Sequence, residues 1–126
     1  MSKKVLIVDD EPHVIHVVKQ FLERKGYSVS TACNGQRALE AYEESKPDVV
    51  ITDVQMPIMG GQALCEQLLQ NYQQETAKIY VMTSRTDKDL RVWAENYPSI
   101  DFLEKPLSLR RLSAKIDDFF GSGEDS

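Results

Sequence analysis

Asp53 closes the apolar run Val49-Val50-Ile51-Thr52 and is followed by Met56-Pro57 and the glycine pair Gly60-Gly61. Other groups able to do chemistry sit at the ends of similar runs: Asp9 and Asp10 after Val5-Leu6-Ile7-Val8, Thr83 after Ile79-Tyr80-Val81-Met82, and Lys105 before Pro106. Short apolar runs bounded by turn residues read as buried strands. In an open parallel sheet the carboxyl ends of the strands gather along one edge, and ligands bind there. Three carboxylates, a hydroxyl and an ammonium would then share one pocket. Hard oxygen donors suit a magnesium ion, and the remaining groups suit a phosphoryl group. Asp53 is the candidate phosphate acceptor.

The elements that would hold these residues alternate along the whole chain. Strands are expected at Lys4–Val8, Ser28–Thr31, Asp48–Thr52, Lys78–Met82 and Ile100–Leu103. The first, third and fourth are apolar on both alternating sets, as strands covered on both faces must be. The second and fifth are weaker and suit edges. Between them lie amphipathic stretches at about 12–25, 35–44, 61–72 and 87–96, and a last one opening at Ser108. Pro12 suits a first helical turn and Gly26 a left-handed helix end. Thr86 or Asp87 would cap the fourth helix. The fifth is expected to bury Leu109, Leu112, Ile116 and Phe119. Strand and helix in regular alternation predict an α/β domain with a parallel sheet.

Composition narrows the function. A chain of 126 residues with 41% apolar content makes one ordinary domain. A net charge of −5 argues against direct nucleic-acid binding, which needs clustered Lys and Arg. The run after Lys3-Lys4 is too short for a signal peptide or membrane span. Cys33 and Cys65 have neither redox-motif nor zinc-ligand spacing, which points to buried or inert thiols in a reducing cytoplasm.

Four motifs stand in order, each at a strand end: Asp9-Asp10-Glu11-Pro12; Asp53-Val54-Gln55-Met56-Pro57-Ile58-Met59 with Gly61; Thr83-Ser84; and Lys105-Pro106. With them the chain resembles the receiver domains of two-component response regulators, from Lys4 to about Phe120. The resemblance implies a flavodoxin-like (βα)5 fold with a doubly wound five-stranded parallel sheet in the order 2-1-3-4-5. It also implies a receiver domain over residues 1–120, with 121–126 as a flexible tail or linker start.

For the chemistry, the resemblance implies that Asp53 takes a phosphoryl group from a phosphohistidine on a sensor histidine kinase or histidine phosphotransfer protein. Asp10 and Asp53 would bind Mg²⁺ directly, Asp9 would hold a coordinated water, and the backbone carbonyl of Gln55 would be the remaining protein ligand. Lys105, aimed by a cis bond to Pro106, would balance charge. Thr83 and Phe102 would form the switch, with the fourth helix, fifth strand and fifth helix as the face read by an output domain or protein. Lys88, Arg91, Trp93, Arg110 and Arg111 are its candidate contacts. Self-phosphorylation and slow self-dephosphorylation would be the only catalysis.

Taken singly, each motif has a plainer reading. Asp9-Asp10 would serve as turn and cap carboxylates, Lys105 as a solvated lysine, and Thr83 as a strand-end hydroxyl. Their joint occurrence reverses that weighting. His13 and His16 share a helix face but have no third ligand nearby, so they read as ordinary helix residues. Met56 and Met59 read as packing groups. Departures from the family pattern lie at Gln55, Gly60, Arg85 and Pro98; Gly60 would delay or fray the third helix, and Pro98 would shorten the fourth. Two rival functions use similar parts. An aspartate-nucleophile phosphatase would carry its two aspartates two residues apart and a cap over the substrate, whereas here they are adjacent and the chain leaves no room for a cap. A pure interaction module would not need the intact reactive set.

Overall fold

The computed structural model describes residues 3–56, 58–72, 77–83 and 88–121. Strands and helices alternate as β1 (Lys4–Val8), α1 (Pro12–Arg24), β2 (Ser28–Ala32), α2 (Gly35–Ser45), β3 (Val49–Asp53), α3 (Gly61–Asn71), β4 (Lys78–Thr83), α4 (Lys88–Ala94), β5 (Ile100–Glu104) and α5 (Leu109–Gly121). The sheet is parallel throughout, in the order β2-β1-β3-β4-β5. The two weaker apolar runs are its edges. This is the flavodoxin-like α/β arrangement.

Alternation along each strand divides the core into two layers. Leu6, Val8, Val50, Ile79 and Val81 face the layer completed by Leu64, Leu68 and Leu90. Val5, Ile7, Val49, Ile51, Tyr80 and Met82 face the layer completed by Val18, Leu22, Leu112 and Ile116. Both faces of β1, β3 and β4 are therefore dry. Burying one such Leu or Ile side chain contributes about 2 kcal/mol, enough for these layers to set the strand register against solvent.

Local chemistry sets the helix ends. Pro12 occupies the first turn of α1, where its missing N–H is not needed. Gly26 beyond that helix has φ 97°. Asn34 caps α2 by accepting a hydrogen bond from the Arg37 N–H at 2.9 Å. Gly60 offers α3 no side-chain cap, yet the helix still starts at Gly61, so the fraying expected from Gly60 does not occur. α4 ends at Ala94, short of the expected Asn96, because Pro98 disfavours helical backbone at Tyr97. The cap candidates Thr86 and Asp87 lie outside the described residues.

One expectation needs correction. Phe119 is 44% exposed, while Phe120 packs on the α1–α5 layer, its ring centroid 5.3 Å from that of Tyr27. The buried stripe of α5 runs Leu112, Ile116 and then a four-residue step to Phe120, which rotates Phe119 outward. Cys33 is exposed, whereas Cys65 is fully buried. Burial, reinforced by the charge of Glu66, pushes the Cys65 thiol up to about 12, so it stays protonated and inert.

Candidate functional site

The sheet register brings the reactive residues to one edge. Val8 pairs with Thr52, Asp53 with Met82 and Thr83 with Glu104, so Asp9, Asp53, Thr83 and Lys105 fall side by side. Carboxylate oxygens of Asp9, Asp10 and Asp53 lie within 4.8 Å of one another. Asp9 and Asp53 are 2% and 6% exposed and Thr83 is 3% exposed, while Asp10 is open to solvent. The Lys105 Nζ lies 2.7 Å from Asp53 Oδ1, across the cis Lys105–Pro106 junction from α5.

Backbone donors hold the carboxylates in place. Asp53 Oδ1 accepts a hydrogen bond from the Val54 N–H at 2.8 Å, and Asp9 Oδ1 accepts one from the Glu11 N–H at 2.9 Å. The Lys105 N–H donates to the Thr83 carbonyl at 3.0 Å, tying the ends of β4 and β5 together. Burial raises the Asp9 pKa, against the lowering effect of the Glu11 N–H; the charges of Asp53, Asp10 and Glu11 raise it further.

Among the described residues, three close carboxylates stand against the Lys105 ammonium, an excess of acidic groups. An all-oxygen donor set with that excess fits a hard divalent cation. The cluster can therefore hold a metal ion. Gln55 is exposed in the loop after β3. His13 and His16 are exposed on α1 and take no part in the cluster. Met56 and Met59 pack against the core.

The profile of the response regulator receiver domain matches residues 5–117. This chain belongs to that family. As a receiver domain it is a component of two-component signalling systems. It is 35% identical over 116 residues to the alkaline phosphatase synthesis transcriptional regulatory protein PhoP of Bacillus subtilis, covering 92% of this chain and 48% of that protein. The receiver thus spans about half the length of the curated relatives it matches. A CheY-like receiver domain protein from Methanospirillum hungatei superposes with a TM-score of 0.85 at 28% identity, covering 94% of each chain. The receiver domain of a signal transduction histidine kinase from Syntrophus aciditrophicus superposes with a TM-score of 0.83 at 28% identity, covering 99% of this chain and 95% of that one.

Phe102 stands apart from the acid cluster, on the α4 side of the receiver. It is half-buried, with the Arg91 guanidinium carbon 4.8 Å from its ring centroid. Arg91 Nη2 lies 3.6 Å from Glu104 Oε2, so α4 is joined to β5 by a cation stacked on an aromatic ring. Sequence reading treated Arg91 only as a surface contact. Nothing in one dimension relates it to Phe102, eleven positions away across a loop. The Glu11 and Val54 N–H groups were also missed, since every non-proline residue carries one. Trp93 is half-buried and packs on Tyr97 with centroids 5.2 Å apart. Lys88, Arg110 and Arg111 are exposed. Among the described residues no helix is long and apolar enough to cross a membrane.

Proposed function

We propose that this receiver accepts a phosphoryl group on Asp53 from a phosphohistidine of a sensor kinase or histidine phosphotransfer protein. The observation that carries this reading is the Asp53 carboxylate, nearly buried, 2.7 Å from the Lys105 ammonium and clustered with Asp9 and Asp10. Phosphoryl transfer is largely positioning plus neutralisation of charge on the transferred oxygens. The Val54 N–H and Lys105 orient the Asp53 carboxylate, and Lys105 offers its positive charge to the incoming group. The Thr83 hydroxyl is the hydrogen-bond donor for a phosphoryl oxygen.

Mg²⁺ is the cation we assign to the cluster, with Asp10, Asp53 and the Gln55 carbonyl as ligands and Asp9 acting through water. When bound it would neutralise the carboxylates and the phosphoryl oxygens. Phosphorylation adds negative charge and acceptor oxygens. Drawing Thr83 toward them would open space for Phe102 and shift a two-state equilibrium read on α4, β5 and α5. The receiver is a signalling component whose only catalysis is its own phosphorylation and slow dephosphorylation. Residues 1–120 form the signalling unit. Incubation with acetyl phosphate and Mg²⁺, followed by mass mapping of a base-labile phosphate, tests the reading. Wild type should gain one phosphate and Asp53→Ala none; equal gain by both would overturn it.

A further inference from the structure

Ile58 lies in the loop between β3 and α3, five residues beyond Asp53. Its side chain is 81% exposed, more than the other large exposed apolar groups described, Val92 and Phe119. Its backbone is left-handed, with φ 67°. The other non-glycine residue in that region is Lys46, which is unbranched and ends α2. For a β-branched side chain the left-handed region crowds Cβ against the backbone, so Ile is a poor choice where Gly or Asn would sit without strain. Water contact on an apolar side chain adds to the cost. Ile58 thus carries two unfavourable features at once, with little burial in the fold to offset them.

Described residues on either side of Ile58 are held by hydrogen bonds. The Gly35 N–H donates to the Met59 carbonyl at 2.9 Å, and the Gly61 N–H donates to the Val54 carbonyl at 2.8 Å. Met59 packs so closely on Gly35 that a Cβ there would meet Met59 Cγ at 2.6 Å. Ile58 therefore projects into solvent from the loop that follows the acceptor strand, next to the held Met59. Strain retained next to a reactive group points to a use outside the chain.

We propose that Ile58 is an apolar anchor for the protein that delivers the phosphoryl group. This rests on the phosphoacceptor reading of Asp53. In the transfer, the P–N bond to the donor imidazole breaks as a P–O bond to Asp53 forms, and the released imidazole nitrogen takes up a proton from solvent. Asp53 is only 6% exposed, so a histidine reaching it brings the donor surface down onto the surrounding loops. On this proposal a protein donor covers Ile58 in doing so. A small donor does not.

The test compares two donors on wild type, Ile58→Gly and Ile58→Asn, both replacements being at ease in left-handed backbone. The probes are acetyl phosphate and a purified, phosphorylated histidine phosphotransfer domain chosen because it phosphorylates the wild-type chain; both are used with Mg²⁺, and phosphate on Asp53 is followed by mass. With acetyl phosphate the variants should match wild type within about twofold, while the second-order rate constant with the protein donor should fall about tenfold, as for loss of an interface anchor. An equal fall with both donors would make Ile58 a structural residue and overturn the proposal. So would an unchanged rate with the protein donor, the result expected if the side chain instead serves self-association or another surface. A wild type whose phosphate maps to a residue other than Asp53 would overturn the phosphoacceptor reading itself, and this proposal with it.

Discussion

Asp9 and Asp10 are neighbours in sequence but carry opposite environments, one buried and one open to solvent. Burial and the adjacent acids raise the Asp9 pKa. A carboxylate raised in the folded state stabilises the fold while protonated; that contribution is full below the unfolded value of about 3.9 and is lost as pH rises through the raised value. Ionised Asp9 therefore costs the metal-free protein stability at neutral pH. Asp9→Asn should raise the melting temperature at pH 7 in chelator, and the gain should vanish in melts run below the ordinary carboxylate range. A variant no more stable at pH 7 would show that burial is not the dominant influence. Asp10 should behave differently, since its worth lies in the cation. Asp10→Ala should weaken Mg²⁺ binding at least about tenfold, a loss that changes outside the ligand shell already produce. Titration calorimetry reads this directly, and unchanged affinity would remove Asp10 from the ligand set.

The junction from β3 into α3 shows how an element fixes the site. Gly61 opens α3 with its N–H on the Val54 carbonyl, and a Cβ on Gly61 would collide with the Asp53 carbonyl oxygen and meet Val54 Cα at 3.0 Å. Both are backbone atoms, so no side-chain rotation relieves the clash. Gly61→Ala should destabilise by about 3 kcal/mol through forced overpacking, measured by urea unfolding. It should also slow Asp53 phosphorylation by acetyl phosphate, because relief of the clash moves the acceptor strand. Wild-type stability in that variant would contradict the close approach. The ends of α1 and the early stop of α4 were readable because Pro12, Gly26 and Pro98 act within a few residues of themselves. Phe119 was misplaced because a helical stripe leaves i+3 and i+4 as equal candidates, and only Tyr27 on the opposite layer decides between them.

Across the whole molecule, Asp117 on α5 joins segments about ninety residues apart. It accepts hydrogen bonds from the Tyr27 hydroxyl and from Lys25 Nζ, the latter at 3.0 Å, and from Ser113 on its own helix at 3.2 Å. Burial works against its ionised form, but these three donors and the Lys25 charge outweigh it and lower the Asp117 pKa. A depressed carboxylate contributes stability above its unfolded value and loses it as pH falls through the folded one. Asp117→Ala should cost about 1 kcal/mol or less at pH 7, since the pair is partly solvated, and the difference should disappear in acid, the reverse of Asp9→Asn. Denaturant unfolding at both pH values checks it; a deficit that persists in acid would assign the loss to packing. The strand-end placement of Asp9, Asp10, Asp53, Thr83 and Lys105 was legible from sequence by itself, because two-sided burial forces continuous apolar runs and these groups end those runs. So was the α/β class, through the alternation of periods. The tertiary structure alone decided which backbone N–H groups hold Asp9 and Asp53, that Arg91 lies over Phe102, and that Ile58 stands exposed in left-handed backbone. Those features depend on the approach of segments distant in the chain and on dihedral angles, neither of which residue type and spacing specify.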